Sequence, residues 1–188
     1  MTIEELSSYL LINSNQYFIG GDIEVDETIL NGLVQRALSF YGNYRPYVDD
    51  IEVYISDGGE FKEYNNQQVT GILRVYYTNP IYDDTEVDFN WDWDRDTKEW
   101  ASQVSGKYWA TCSLMPTLST INYDQYEFLD LVQGLYLMYI GSSRKSFNMG
   151  DLPFENDGAD LYNDGKELFE TTKEKLSESN NSWWYSIT

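Results

Sequence analysis

The sequence predicts an α+β fold: helices at both ends flanking a mainly antiparallel β-sheet of four to five strands, closed by a C-terminal pair of long helices. Three observations lead there. Apolar residues recur at helical spacing early in the chain and again in its last third. Between about 49 and 115 they alternate with polar residues instead. The strands are segregated from the helices, which suits an antiparallel sheet. The 188 residues fit one domain, 1–188, long enough to bury a core.

The first helix is expected over about 2–11. Thr2 and Glu5 have the spacing of a capping box, and Ile3, Leu6 and Leu10 make an apolar stripe. Gly20-Gly21 then reads as a turn or hinge. The second helix covers 26–42. Asp26 caps it, and Ile29, Leu30, Leu33, Val34, Ala37, Leu38 and Tyr41 form its buried face. "YGNYRP" stops it, through Gly42 and Pro46. Four β segments follow: "DIEVYIS", "QVTGILRVYYT", "TEVDFNWDW" and "GKYWATCSLM", with "DGGE" as a hairpin turn after the first. A helix over about 123–141 carries apolar residues around most of its surface, so burial on more than one side is expected. After a loop, the last helix spans 157–179. Leu161, Leu168, Phe169, Thr172 and Leu176 line one of its faces, and an extended tail occupies 180–188.

Composition narrows the function. Net charge is −20 and the sequence pI about 4.1, which disfavours DNA, RNA and anionic membranes as ligands. Aromatic residues make up 16% of the chain, so this is no disordered acidic tail. Cys112 is the single cysteine, which suits a reducing cytosol, and its apolar setting reads as a buried, inert thiol. The acidic N-terminus lacks a signal peptide's basic start, and no apolar run reaches membrane-spanning length.

Histidine is absent, which rules out Ser-His-Asp and Cys-His catalysis and histidine-ligated zinc. No phosphate or dinucleotide fingerprint appears. Paired-carboxylate hydrolysis stays open but carries almost no signal, since 32 acids always offer some pair. No catalytic residue, metal or cofactor is expected. "WDWDRDTKEW" places Asp92, Asp94 and Asp96 at the opening spacing of a calcium loop. Counting from Asp92, the glycine and glutamate positions of an EF-hand hold Thr97 and Gln103, so that motif fails, leaving only looser calcium binding open. The simpler reading is a strand with Phe89, Trp91 and Trp93 inward and its acids solvated, followed by "RDTKE" as the turn into the next hairpin arm. Trp and Tyr platforms leave carbohydrate binding open. The acidity leaves a DNA-mimic inhibitor open, although the acids read as spread over loops and turns.

The order of elements resembles that of head-to-tail connector (adaptor or neck) proteins of tailed bacteriophages. "LVQRALSFYGNYRP" is similar to their early helix and its exit. "FNWDWDRDTKEW" with "KYWATCSLMP" is similar to their β insertion. "LDLVQGLYLMYIGSSRKSFNMGDLPFENDGADLYNDGKELFETTKEKL" is similar to their closing helix pair. Together these run from about Glu27 to Leu176. The resemblance implies a structural virion protein at the head–tail junction, assembled in the host cytoplasm. It implies a homo-oligomeric ring, commonly twelve-fold, that meets the portal protein and adjacent neck or tail proteins, with genome DNA passing through without specific binding. A tail terminator or baseplate subunit is the nearest alternative. Trp183, Trp184 and Tyr185 of the tail, with Leu161, Leu168 and Phe169, are the expected interface residues.

Overall fold

The structure, a computed structural model, describes residues 1–13, 26–55, 69–94, 96–97, 99–102, 104–146 and 158–183. The Gly20-Gly21 turn, the "DGGE" turn and most of the loop before the last helix lie outside the described residues. The fold is α+β; the described residues form four α-helices and five antiparallel-paired strands. Two compact units form: Met1–Arg45 with Thr117–Thr188, and Pro46–Pro116 inserted between them.

In the first unit, helix α1 (Ile3–Asn13) starts with the expected capping box. The Thr2 amide donates to Glu5 Oε2 at 2.7 Å, and the Glu5 amide donates to Thr2 Oγ1 at 3.3 Å. Helix α2 (Glu27–Gly42) is capped by Asp26, whose carboxylate accepts from the Ile29 amide at 2.9 Å. The predicted stripe turns inward: Leu30, Val34, Ala37, Leu38 and Tyr41 are buried, with Ile29 and Leu33 partly so.

Helix α3 (Tyr126–Ser146) is buried on more than one side, through Phe128, Leu129, Leu131, Val132, Leu135, Tyr136, Leu137 and Ile140. Its ends differ from the expected 123 and 141. At the start, Asn122 to Gln125 form a turn: the Gln125 amide donates to Asn122 O at 3.1 Å, and Gln125 Oε1 accepts from the Asn122 amide at 2.7 Å. At the other end, Gly141 reads as a stop in sequence because glycine commonly follows a helix. Here it lies inside the helix, with a different role. A Cβ on Gly141 would sit 2.5 Å from the Tyr162 amide nitrogen.

That contact belongs to helix α4 (Gly158–Trp183), which runs antiparallel to α3. A Cβ on Gly134 would meet the Gly165 carbonyl at 2.8 Å, and one on Gly165 would meet the Gly134 carbonyl at 2.6 Å. Gly134 and Gly141 are seven residues apart, and so are Gly158 and Gly165. A seven-residue spacing is close to two helical turns and returns to nearly the same face. Gly134, Gly141 and Gly165 each face the partner backbone, and the two helices touch main chain to main chain. Leu161, Thr172 and Leu176 complete the buried face, with the Thr172 hydroxyl donating to Leu168 O at 2.8 Å. The helix passes through 180–183, where an extended tail is expected, because Asn180, Asn181 and Ser182 include no proline or glycine to break it.

In the second unit, strands β1 (Tyr47–Ile55), β2 (Val69–Tyr76) and β5 (Gly106–Leu114) form one sheet in the order β1-β5-β2. Strands β3 (Trp91–Asp94) and β4 (Glu99–Ser102) form a separate hairpin. The strands thus divide between two sheets. β1 and β2 each pair antiparallel with β5, so they run parallel to one another with β5 between them. Ile51, Val53, Val69, Ile72, Val75, Tyr108, Ala110, Cys112 and Leu114 gather with Trp100 in one core, and Val87, Phe89, Trp91 and Trp93 pack against it.

Candidate interaction surfaces

The expected interface residues of α4 are occupied within their own unit. Leu161 is 1% exposed and belongs to the helical core. Leu168 is half-buried, and Phe169 packs its ring against Phe40 at a centroid distance of 5.4 Å. The apolar face predicted from the helical period is real, but α3 and α2 cover it, so Leu161 is not offered to another chain. Trp183 closes α4, and Trp184 and Tyr185 lie outside the described residues.

What α4 does present outward is charge. Asp160, Asp164, Glu167, Glu170, Glu174 and Glu178 are all exposed. They follow one another at steps of three or four residues, so they form one continuous stripe along the helix. The helix has 26 residues, a rise of about 39 Å. Some of the acids are therefore not scattered over loops, as the linear sequence suggested. Their helical period is the signal that sequence reading passed over. Lys173 flanks the stripe and pairs with Glu170 at 3.3 Å. Beside it, Tyr44, Lys173, Glu174, Ser177 and Glu178 line an open depression of about 300 Å³. Arg45 donates to the Ser179 hydroxyl at 2.8 Å.

The aspartates of "WDWDRDTKEW" are employed by their own hairpin. β3 and β4 pair as Trp91 with Ser102 and Trp93 with Trp100, so the sequence between Asp94 and Glu99 is indeed the turn between arms. Asp94 accepts from the amides of Asp96 at 2.8 Å and Thr97 at 3.1 Å, and these bonds hold its carboxyl below the usual range. Asp92 accepts from the Trp93 amide at 2.9 Å. Phe89, Trp91 and Trp93 turn toward the core while Asp92, Asp94 and Asp96 face solvent. No group of three or more His, Cys, Asp or Glu placed to hold a metal occurs among the described residues.

Cys112 is fully buried. Burial, with Asp50 and Asp49 nearby, pushes its thiol up to about 12, so the reactive thiolate is suppressed at neutral pH. Burial likewise pushes the Tyr41 hydroxyl up to about 12. Among the described residues no helix is long and apolar enough to cross a membrane.

The outer face of the three-stranded sheet mixes exposed Val48 and Tyr54 with polar pairs. Lys107 faces Glu52 at 3.6 Å, and the Thr111 hydroxyl donates to Asp50 at 2.5 Å. Beyond β2 the chain makes an exposed loop in which Ile81 and Tyr82 stand clear of either core. No model of a known protein family matches the chain, and no curated protein matches it.

Proposed function

We propose that this chain is a structural virion protein of a tailed bacteriophage, part of the head–tail connector ring through which the genome passes. The observation that supports it is the order of elements. An early helix exits through Tyr44-Arg45-Pro46 into a β insertion, and the chain then closes with the α3–α4 pair. That is the order the resemblance implies. The acidic stripe of α4 fits a surface past which DNA slides without adhering. Function in this reading comes from shape and interface rather than from chemistry. One interface repeated head to tail closes into a ring when the rotation per subunit allows. The segment Ser182–Thr188, with Trp183, Trp184 and Tyr185, is the part assigned to a neighbouring subunit or neck protein.

Immunogold electron microscopy of particles, with antibody to this chain, tests the reading. Label at the head–tail joint is expected. Label at the tail tip moves the chain to the baseplate, and absence from particles overturns the virion assignment. Deleting Ser182–Thr188 is expected to block particle assembly; normal assembly without it removes the tail from the interface.

A second reading draws on the same stripe. Acidic residues at steps of three or four along a helix have Cβ atoms about 5–6 Å apart, so they set out a regular row of negative charge like that of a nucleic-acid strand. This favours an inhibitor that occupies the DNA site of a DNA-binding enzyme. Under that reading the pure protein inhibits such an enzyme at low salt, and combining Glu167→Gln, Glu170→Gln and Glu174→Gln abolishes the inhibition. A connector shows no such inhibition.

A further inference from the structure

Ile81 and Tyr82 are 79% and 87% exposed, and Tyr82 is the most exposed large hydrophobic side chain among the described residues. Leaving such side chains in water forfeits the stabilisation that burying them would give. The loop that carries them is nevertheless tightly held. Asn79 opens it and Pro80 follows, the preferred first two residues of a type I turn. The Asn79 carbonyl accepts from the amides of Tyr82 at 2.9 Å and Asp83 at 3.2 Å. Asn79 Oδ1 accepts from the Ile81 amide at 3.0 Å. On the far side, Asp83 Oδ1 accepts from both the Thr85 amide at 3.1 Å and its hydroxyl at 2.6 Å. The base is pinned by the Tyr77 hydroxyl donating to Asp88 and by the Val87 amide donating to Val75 O at 3.0 Å. Nothing in this bonding needs Ile81 or Tyr82 to be apolar, since both contribute only main chain.

We propose that the loop from Thr78 to Thr85 is a docking knob for a different protein, one with an apolar cleft edged by lysine or arginine. Ile81 and Tyr82 are the anchors. Tyrosine is favoured in that role because it buries a large, stiff surface and keeps a polar tip. The loop is already ordered, so docking costs little further conformational entropy. Charge selects the occupant. Asp83, Asp84, Glu86 and Asp88 follow the anchors within six positions and are exposed, and Arg74 lies 3.8 Å from Glu86. A basic rim complements these carboxylates. A second copy of this chain, at −20 net charge, opposes them. The inference depends on the loop alone and stands apart from the virion reading.

The test places a photoreactive p-benzoylphenylalanine at Tyr82 of the full chain, with Ile12, which is 74% exposed on α1, as the control position. Irradiation is carried out in extracts of the cells that make the protein. The expected product forms at position 82 and not at 12, and the cross-linked peptide comes from another protein and carries apolar residues beside Lys or Arg. Adding Ile81→Ser or Asp84→Lys, or raising the salt, lowers its yield about tenfold or more. Separately, Ile81→Ser and Tyr82→Ser leave the melting temperature unchanged, because both side chains are exposed. Three results overturn the proposal: no position-specific product, a cross-link to a second copy of this chain, or a yield indifferent to Asp84→Lys.

Discussion

Where α3 crosses α4, at Gly134 and Gly165, the helical unit has side chains removed; at Trp100, the β unit has the largest side chain there is. Two helices can approach main chain to main chain only if nothing projects between them. Two small sheets cannot approach that closely and need large rings to fill the gap. Trp91 meets Trp100 edge to face at 6.1 Å, and Phe89 meets Tyr108 at 5.1 Å. One core is thus sensitive to atoms added and the other to atoms lost.

Substitutions can break that contrast. Trp100→Ala is expected to have the largest effect, about 3–5 kcal/mol of destabilisation, read by urea unfolding of the β signal in circular dichroism. Gly165→Ala comes next, at about 1–3 kcal/mol, because its methyl group would meet main-chain atoms that cannot swing aside. Gly32→Ala is its internal control. Nothing lies within 4 Å of that position, so the better helix propensity of alanine should stabilise by up to about 1 kcal/mol. If the two glycine variants shift the melting temperature in the same direction, the close-approach account of α3 and α4 fails. Asp26→Ala should cost about 1 kcal/mol through loss of the bond to the Ile29 amide.

The smallest effect concerns Asp130 on α3. Burial raises its pKa, Lys175 draws it down in part, and Glu127 adds to the rise. Its folded pKa therefore lies above the unfolded one. Between the two values the folded state holds a proton that the unfolded state has released, so this group's contribution falls as pH rises. At neutral pH the charged Asp130 is a net cost. Asp130→Asn is expected to raise the melting temperature at neutral pH, with the gain shrinking as the solution is acidified into the ordinary carboxylate range. A gain that grows on acidification would show the sign to be wrong.

What sequence made legible was local. The Thr2–Glu5 box, the Asp26 cap and the turn between Trp93 and Trp100 each depend on residues a few positions apart, and each is found as expected. The misreadings were long-range. Gly141 reads as a helix end until its partner Tyr162 is known. β1 and β2 are consecutive in sequence, and neither shows that β5 will lie between them. Periodicity finds the buried face of Leu161 without revealing what buries it. The acidic stripe was legible in principle, since it repeats at the period already used to find α4.

The β1-β5-β2 order also has a consequence in time. The central strand is the last of the three to be synthesised, so neither β1 nor β2 has its pairing partner until Gly106–Leu114 has left the ribosome. Ile51 and Val53, on the earliest strand, must wait for Ala110 and Tyr108, more than fifty positions later. Such non-local pairing slows folding, and it leaves two strand edges open meanwhile. Asp49, Asp50 and Glu52 on β1 keep that waiting strand charged, which discourages it from pairing with the wrong chain.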